Sequence, residues 1–137
     1  MEVNKNIPLV IQIENHNSQN GTVNVISFER MLPFNVKRIF YVSNSKDGET
    51  RGNHSHKECW QFLVPISGSI KVYCHDGVNE YNFNLNKKCE GLLVPPGVWC
   101  TQYYKKARDI LLVLTSEEYD PNDYIHDFDN FLKSFKE

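Results

Sequence analysis

The chain has 137 residues, of which 40% are hydrophobic and 23% charged, and its formal net charge is -2. The length predicts one domain over residues 1–137, and the composition excludes a long disordered chain. With 15 basic and 17 acidic residues, no global field favours nucleic acid or an anionic membrane, so we expect neither partner. No apolar run approaches the ~18 residues of a membrane span, and residues 1–6 lack a secretory signal pattern, so we expect a cytoplasmic location.

Short β-branched and aromatic runs follow one another along most of the chain, with turn residues roughly every 8–12 positions. The predicted strands cover residues 7–13, 22–28, 36–42, 60–66, 69–75, 80–85, 92–95, 98–104 and 110–115. Ser67-Gly68 and Asp76-Gly77 are typical of hairpin turns. The continuously apolar run 110–114 predicts a strand buried on both faces. Together these patterns predict an all-β sandwich or barrel.

The residues after Asp120 change to a helical period. Asp120 can cap a helix whose first residue is Pro121. Apolar residues then recur at helical spacing, namely Tyr124, Ile125, Phe128, Phe131, Leu132 and Phe135. We predict an amphipathic C-terminal helix over about residues 121–136, packed on the barrel or on a partner subunit.

The four cysteines are Cys59, Cys74, Cys89 and Cys100, and none belongs to a Cys-x-x-Cys pair. A zinc knuckle is therefore not expected. A cytoplasmic chain also lacks the oxidising compartment in which disulfides persist. We predict four reduced thiols.

The densest polar cluster runs from Arg51 to Lys57 and contains His54 and His56, two of only five histidines. Residues i and i+2 of a strand point to the same side, so both imidazoles would face one region. Neutral imidazoles on one face suit metal ligation, and groups that titrate near neutral pH suit proton transfer. A structural, hydrogen-bonded pair is the third interpretation.

The spacing around this pair resembles the cupin motifs. His54 and His56 match the first motif, but Gln61 stands where that motif carries glutamate. The second motif is matched by Pro95-Pro96-Gly97-Val98-Trp99, and Cys100 replaces its histidine. The resemblance implies a cupin, or double-stranded β-helix (jelly-roll), barrel with a C-terminal α-helix. Since a neutral amide is a poor ligand for a divalent cation, a metal-dependent cupin is the less favoured alternative.

Over most of its length the chain resembles the cupin sugar-nucleotide 3,4-ketoisomerases. The matching segments are residues 38–41, 51–57, 61, 68–69, 76–77, 94–99 and 119–125. The resemblance implies an isomerase without metal or cofactor that converts dTDP-4-keto-6-deoxyglucose to its 3-keto isomer, for the amino-deoxy sugars of surface polysaccharides. It also implies a homodimer with exchanged strands.

The residues of the matching segments suit this chemistry. Moving a ketone from C4 to C3 requires a proton to leave C3 and a proton to reach C4, through an enediol. We hypothesise that His54 and His56 perform these transfers, with neither role assigned. Tyr41 is the candidate donor to the enolate oxygen, and a core position is its alternative.

Candidate binding residues surround the pair. Arg38 and Arg51 are the candidates for the diphosphate, because an arginine fork binds phosphate oxygens in two places. Lys57 is a weaker candidate, since it alternates away from the histidines. Gln61 could hold a sugar hydroxyl. Trp99 could line the mouth of the barrel or belong to the core.

Three departures from the family pattern leave a second interpretation open. Asn20 stands where the family often has arginine, Asn53 where an aromatic or small apolar residue is common, and Cys100 where a histidine is usual. A thiol has a pKa near 8.5 and cannot shuttle protons as an imidazole does without tuning. Cys100 is therefore included among the substrate-binding candidates. The alternative function is a cupin that binds a sugar nucleotide with lost or altered catalysis.

Overall fold

The computed structural model describes residues 7–135, and about half of the chain forms β-strands. The strands are β1 (Leu9–Gln12), β2 (Glu14–Ser18), β3 (Gly21–Val25), β4 (Arg38–Val42), β5 (Glu49–His56), β6 (Gln61–Ser67), β7 (Ile70–His75), β8 (Glu80–Leu85), β9 (Glu90–Val94), β10 (Trp99–Tyr104), β11 (Ile110–Thr115) and β12 (Tyr124–Ile125). The helices are α1 (Phe28–Met31) and α2 (Phe128–Lys133), and a 3₁₀ turn covers Pro121–Asp123. The predicted all-β fold with a C-terminal helix is confirmed. Within the described range, no helix is long and apolar enough to cross a membrane.

Ten of these strands form two five-stranded sheets. Sheet A has the order β1-β9-β6-β11-β4, and sheet B has the order β12-β5-β10-β7-β8. All neighbouring strands are antiparallel. The two remaining strands, β2 and β3, pair with each other as a separate hairpin. The sheets face one another and enclose the site described below.

The main core lies between the two sheets. Its buried residues are Leu63, Ile70, Val72, Cys74, Leu85, Leu92, Val94, Val98, Cys100, Tyr104, Leu111 and Val113. A second cluster covers the outer face of sheet A, because alternate residues of each strand point outward. On β11, Val113 faces the main core and Leu114 faces the second cluster, so this strand is buried on both faces as predicted.

The two predicted hairpin turns have different outcomes. Asp76-Gly77 joins β7 to β8, which are paired, as predicted. The prediction for Ser67-Gly68 is wrong, because β6 belongs to sheet A and β7 to sheet B. Gly68 has a φ of 76°, and a Cβ there would overlap the buried Asp109 carboxylate. The dipeptide therefore makes a tight passage between sheets, where only glycine fits.

The predicted helix over 121–136 is wrong in its first half. Tyr124 and Ile125 form β12, which pairs with Ser55 and His56 at the edge of β5. The unpaired backbone groups of this edge are satisfied by the added strand, and this tertiary pairing outweighs the helical period. The helix begins only at Phe128 and ends at Lys133. Residue 136 lies outside the described residues.

Helix α2 packs on the outer face of sheet B. The Asp127 side chain caps its N-terminus by accepting a hydrogen bond from the Asn130 N–H at 2.9 Å. Phe131 is fully buried, and its ring centroid lies 5.7 Å from that of Trp99 and 5.9 Å from that of His75. This contact holds the segment after β11 against the sheet that carries the histidine pair.

Candidate active site

Strand β5 carries His54 and His56 on the inner face of sheet B. His54 lies opposite Cys100 of β10, whose side chain belongs to the core between the sheets. His56 follows two residues later on the same face. The ring centroids of the two histidines are 4.9 Å apart, with an interplanar angle of 82°. The structure therefore brings the two imidazoles together as the sequence spacing predicts.

A bulge directly before the pair sets its direction. The register between β5 and β10 shifts between Cys100 and Thr101. Gly52 has a φ of 85°, and a Cβ there would lie 2.9 Å from the Cys100 carbonyl oxygen. Asn53 has a φ of 56°, a conformation that asparagine tolerates better than most residues. Asn53 is exposed and accepts a hydrogen bond from the Thr101 hydroxyl at 3.1 Å, so its departure from the family pattern is local to the bulge.

Asp123 orients His56. The His56 Nδ1 atom lies 2.9 Å from Asp123 Oδ2. The other carboxylate oxygen of Asp123 accepts a hydrogen bond from the Glu58 N–H at 2.7 Å, and the Cys59 N–H donates to Oδ2 at 3.3 Å. A carboxylate fixed in this way selects the Nδ1–H tautomer of the imidazole. The Nε2 atom of His56 is buried and has no hydrogen-bond partner among residues 7–135, so no group in this part of the chain occupies its lone pair.

Both imidazoles are neutral at pH 7. Burial lowers the pKa of His54 to about 4, and the neighbouring His56 and His126 lower this pKa further. Burial also lowers the pKa of His56, and the Asp123 carboxylate partly opposes that shift. A general base must be unprotonated at the working pH, and both groups meet that requirement.

Sequence reasoning missed three residues of the site, Asp123, Tyr124 and His126, which lie on the segment after β11. The Tyr124 ring centroid lies 4.9 Å from that of His54 and 4.3 Å from that of His56. The His126 ring stacks on Tyr124 at 5.3 Å and lies 5.8 Å from His54. Asp123 and Tyr124 belong to the matching segment 119–125. Because this segment was predicted to be helical, the sequence did not indicate that these two residues contact β5.

Arg38 and Gln61 lie on the inner face of sheet A. Both are paired in register with Thr115 of β11, one from each side. The Arg38 guanidinium lies 4.6 Å from the ring centroid of Phe40 and 5.6 Å from that of Tyr119. Its charge contributes to the lowered pKa of His56, which places it on the histidine side of the barrel. Gln61 is 6% exposed.

Two candidates face away from the histidines, and for Trp99 this is the core alternative left open by the sequence. Tyr41 lies on the outer face of β4 and is 69% exposed, because Arg38 and Phe40 occupy the inward positions of that strand. Trp99 lies on the outer face of β10 and contacts the rings of α2, with its centroid 5.2 Å from that of Phe128. Trp99 therefore belongs to the core under α2 and does not line the mouth of the barrel.

The remaining candidates are Arg51 on β5, Lys57 directly after β5, and Cys100 on β10. Arg51 is exposed and lies opposite Gln102, whose side-chain nitrogen donates to Cys100 Sγ at 3.3 Å. Lys57 is exposed, and its backbone N–H donates to the Asp123 carbonyl at 2.8 Å. Cys100 is 1% exposed and adjoins His54 across the ladder. All four cysteines are free thiols, as predicted.

One group of donors could be considered for a metal ion. His56, Cys59 and Asp123 offer ligand atoms within 4.8 Å of one another. The Cys59 thiol, however, donates to the Trp60 carbonyl at 3.2 Å, and the Asp123 carboxylate already accepts the three hydrogen bonds described above. These donors are satisfied by one another, and the set fits a hydrogen-bonded acid–base pair better than a ligand set.

Comparison with known proteins identifies the family of the chain. Residues 6–136 match the family described as FdtA: WxcM-like, C-terminal. A TDP-4-oxo-6-deoxy-alpha-D-glucose-3,4-oxoisomerase from Aneurinibacillus thermoaerophilus is 36% identical over 113 residues, covering 82% of this chain and 81% of the relative.

Solved structures give the same result. A 3,4-ketoisomerase from Helicobacter canadensis superposes with a TM-score of 0.90 at 31% identity, covering 95% of this chain and 98% of the other. A histidine-to-asparagine variant of the 3,4-ketoisomerase QdtA from Thermoanaerobacterium thermosaccharolyticum, in complex with TDP-4-keto-6-deoxyglucose, has a TM-score of 0.89 at 31% identity, with 94% of each chain covered. The resemblance to sugar 3,4-ketoisomerases is confirmed.

Proposed function

The chain belongs to the FdtA family (WxcM-like, C-terminal), and from this premise we propose that it isomerises a nucleotide-linked 4-keto-6-deoxyhexose to the 3-keto sugar. The expected substrate is TDP-4-keto-6-deoxyglucose or a close relative, because the relatives are named for it or bind it. The observation that carries the proposal is the pair of imidazoles of His54 and His56 on the inner face of sheet B, with ring centroids 4.9 Å apart. A cytoplasmic step toward the amino-deoxy sugars of surface polysaccharides is the role that we propose for the product.

The reaction needs only proton transfers. A base removes the proton from C3, the C–H electron pair becomes the C3–C4 double bond, and the π pair of the C4 carbonyl moves onto O4. The O3 hydroxyl then loses its proton while O4 gains one. Finally C4 is protonated, and the C3–C4 π pair forms the new C4–H bond as the C3 carbonyl is completed. One group for carbon and one for oxygen suffice.

The environments of the two histidines favour different roles. Asp123 supports His56, so the imidazolium formed when Nε2 takes the C3 proton is stabilised by a neighbouring carboxylate. His54 has no such carboxylate, and its pKa of about 4 means that it releases a proton readily. We therefore assign the carbon-bound proton to His56 and the transfer between O3 and O4 to His54.

The exposure of each remaining candidate indicates which part of the substrate it would contact. Arg51 is exposed beside the histidine pair, and we propose that it binds the diphosphate, with Lys57 as a secondary contact. Gln61 is buried on the inner face of sheet A, where its amide would hold a sugar hydroxyl. Cys100 would shape the pocket beside His54 without moving protons, because the thiol is packed in the core.

The β2–β3 hairpin supports a homodimer with exchanged strands. Its two strands pair only with each other, and Val23 is 61% exposed. A two-stranded hairpin alone in water is only marginally stable, so this arm needs a surface to lie on. Asn20 is at the tip of the arm, in the turn between the strands. We propose that the arm docks on a second copy of the chain and carries Asn20 toward that copy's site.

Incubation with TDP-4-keto-6-deoxyglucose in D₂O, followed by NMR, tests the function. A 3-keto product with deuterium at C4 is the expected result. We expect His54→Asn and His56→Asn each to lower kcat by ~10²-fold or more without a comparable loss of binding. Full activity in both variants would contradict the proposed site. Binding of the nucleotide sugar with neither exchange nor product would favour the alternative, a cupin whose catalysis is lost or altered.

A further inference from the structure

We propose that Tyr124 is a further catalytic residue of this site, whose hydroxyl acts with the Arg38 guanidinium to stabilise the enediolate oxygen. This inference rests on the proposed isomerase function. It also replaces two roles expected from the sequence, the donor role of Tyr41, which lies on the outer face of β4, and the diphosphate role of Arg38.

Tyr124 packs against both histidines of the site. Its backbone is paired with His56 at the edge of sheet B. Its half-buried ring lies against both imidazoles, with centroid distances of 4.9 Å to His54 and 4.3 Å to His56. Among residues 7–135, no other tyrosine ring packs against both. Tyr124 is therefore the phenol that a substrate held between the two histidines would meet.

Arg38 faces this part of the site from the opposite sheet. It projects from the inner face of sheet A, opposite the sheet that carries Tyr124. Its guanidinium lies 5.6 Å from the ring centroid of Tyr119, and that ring lies 5.7 Å from Tyr124. The guanidinium acts electrostatically on both the Tyr124 hydroxyl and His56. A hydroxyl from one sheet and a cation from the other thus converge beside the base.

The protonation states suit this role. Burial raises the pKa of Tyr124 above its ordinary value, and the Arg38 charge only partly opposes the rise. The phenol therefore keeps its proton at neutral pH and can donate a hydrogen bond. Arginine stays charged throughout the working range. Tyr124 and Arg38 therefore provide a hydrogen-bond donor and a positive charge in the protonation states that they already have at neutral pH.

The chemistry explains why a donor is needed at this place. When His56 takes the C3 proton, the carbonyl π pair moves onto O4, and a charge absent from the bound substrate develops there. A donor aimed at that oxygen stabilises the transition state more than the ground state, which raises kcat. Tyr124 would donate a hydrogen bond to O4 and form no covalent bond, so the proton balance of the reaction is unchanged.

Tyr124→Phe tests the inference, because it removes the hydroxyl and keeps the ring. We expect kcat for TDP-4-keto-6-deoxyglucose to fall by ~10- to 10²-fold with KM within about threefold of the wild type. Tyr73→Phe is the matched control, since Tyr73 lies on the outer face of sheet B and its hydroxyl donates to Glu80 at 3.1 Å, and its kcat should stay within about twofold. Arg38→Lys should also lower kcat, and the double variant should lose less than the product of the two single losses.

The outcomes separate this inference from the proposed function. If the wild type forms no 3-keto product, the proposed function fails. If the wild type is active and Tyr124→Phe keeps its kcat, or changes KM alone, the role of Tyr124 is overturned and the isomerase stands. Thermal unfolding of each variant shows whether the fold is kept. If Tyr124→Phe does not fold, Arg38→Lys provides the test. An unchanged kcat in Arg38→Lys would overturn the proposal that Tyr124 and Arg38 together stabilise the enediolate oxygen.

Discussion

Asp123 Oδ2 lies 2.9 Å from His56 Nδ1, and the two side chains are only 10% and 8% exposed. This contact joins residues 67 positions apart in the chain. It links a strand of the barrel to the segment that follows β11. The acid–base chemistry of the site therefore depends on how that segment docks.

Asp123→Asn is expected to reduce kcat by ~10²-fold, because the amide would present a donor to Nδ1 and favour the wrong imidazole tautomer. The NMR assay of product formation measures the loss, with KM expected to change little. Asp120→Asn is the matched control. Asp120 is exposed and caps the 3₁₀ turn Pro121–Asp123 by accepting a hydrogen bond from the Asn122 N–H at 2.9 Å. Equal activity of the two variants would mean that Asp123 does not orient the base.

The stability of the protein should fall in acid because of His54. Its pKa is lowered from 6.5 to about 4 on folding, so between these values the unfolded chain binds more protons. The stability contributed by neutral His54 is complete above pH 6.5 and declines as the pH falls toward 4, by about 3 kcal/mol in total.

Urea unfolding of the wild type and of His54→Asn at pH 7.5 and pH 5 isolates this contribution. The wild type should lose about 2 kcal/mol more than the variant between these two conditions. Val78→Ala, a substitution of a side chain that is 84% exposed at the turn between β7 and β8, is the control and should follow the wild type. Parallel losses in the wild type and in His54→Asn would show that His54 is not buried in its neutral form.

The four thiols should differ in reactivity. Cys59, Cys74 and Cys100 are buried, whereas Cys89 is only half-buried. Burial raises the pKa of Cys59, and the hydrogen-bonding contact with Cys100, together with burial, raises the pKa of Cys74. Since the thiolate is the reactive species, a thiol-specific chromogenic reagent should label Cys89 rapidly and the others only after denaturation. Cys89→Ser should abolish the rapid phase. Rapid labelling of a second cysteine would contradict the packing described here.

The proposed dimer gives a mass prediction. Light scattering should report about 32 kDa, twice the 16.0 kDa of one chain. Val23→Asp would place a charge on the arm that we expect to be covered, and should shift the protein to 16.0 kDa. Val78→Asp is the control, because Val78 is 84% exposed at the turn between β7 and β8 and should leave the mass unchanged. A wild-type monomer would rule out the arm's role between subunits.

Much of the barrel was predictable because strand formation follows local patterns. Alternation along β7 and β8 and the apolar run of β11 identified those strands, and the spacing of His54 and His56 placed both imidazoles on one face. Strand β2 was missed because all five of its residues are polar and exposed, so it carries no burial pattern. Its pairing with β3 is the only feature that defines it.

The errors at the site have a shared physical origin. In Phe40-Tyr41 and in Trp99-Cys100, two adjacent residues both suit a buried face, and one shift in register exchanges inside for outside. The structure places Phe40 and Cys100 inward, so Tyr41 and Trp99 face away from the histidines. Tyr124 was assigned to a helix because its local period is helical, and only the open edge of β5 makes it a strand.

The scaffold and the groups that support the histidines come from different parts of the chain. All strands of the two sheets except β12 are complete by Thr115, whereas Asp123, Tyr124 and His126 come later in the chain. A nonsense codon or a protease cut shortly after Thr115 would therefore leave a barrel that can still collapse around its core yet lacks the groups that activate His56. Substitutions in the segment after β11 can therefore change the catalytic activity without changing the residues that form the barrel.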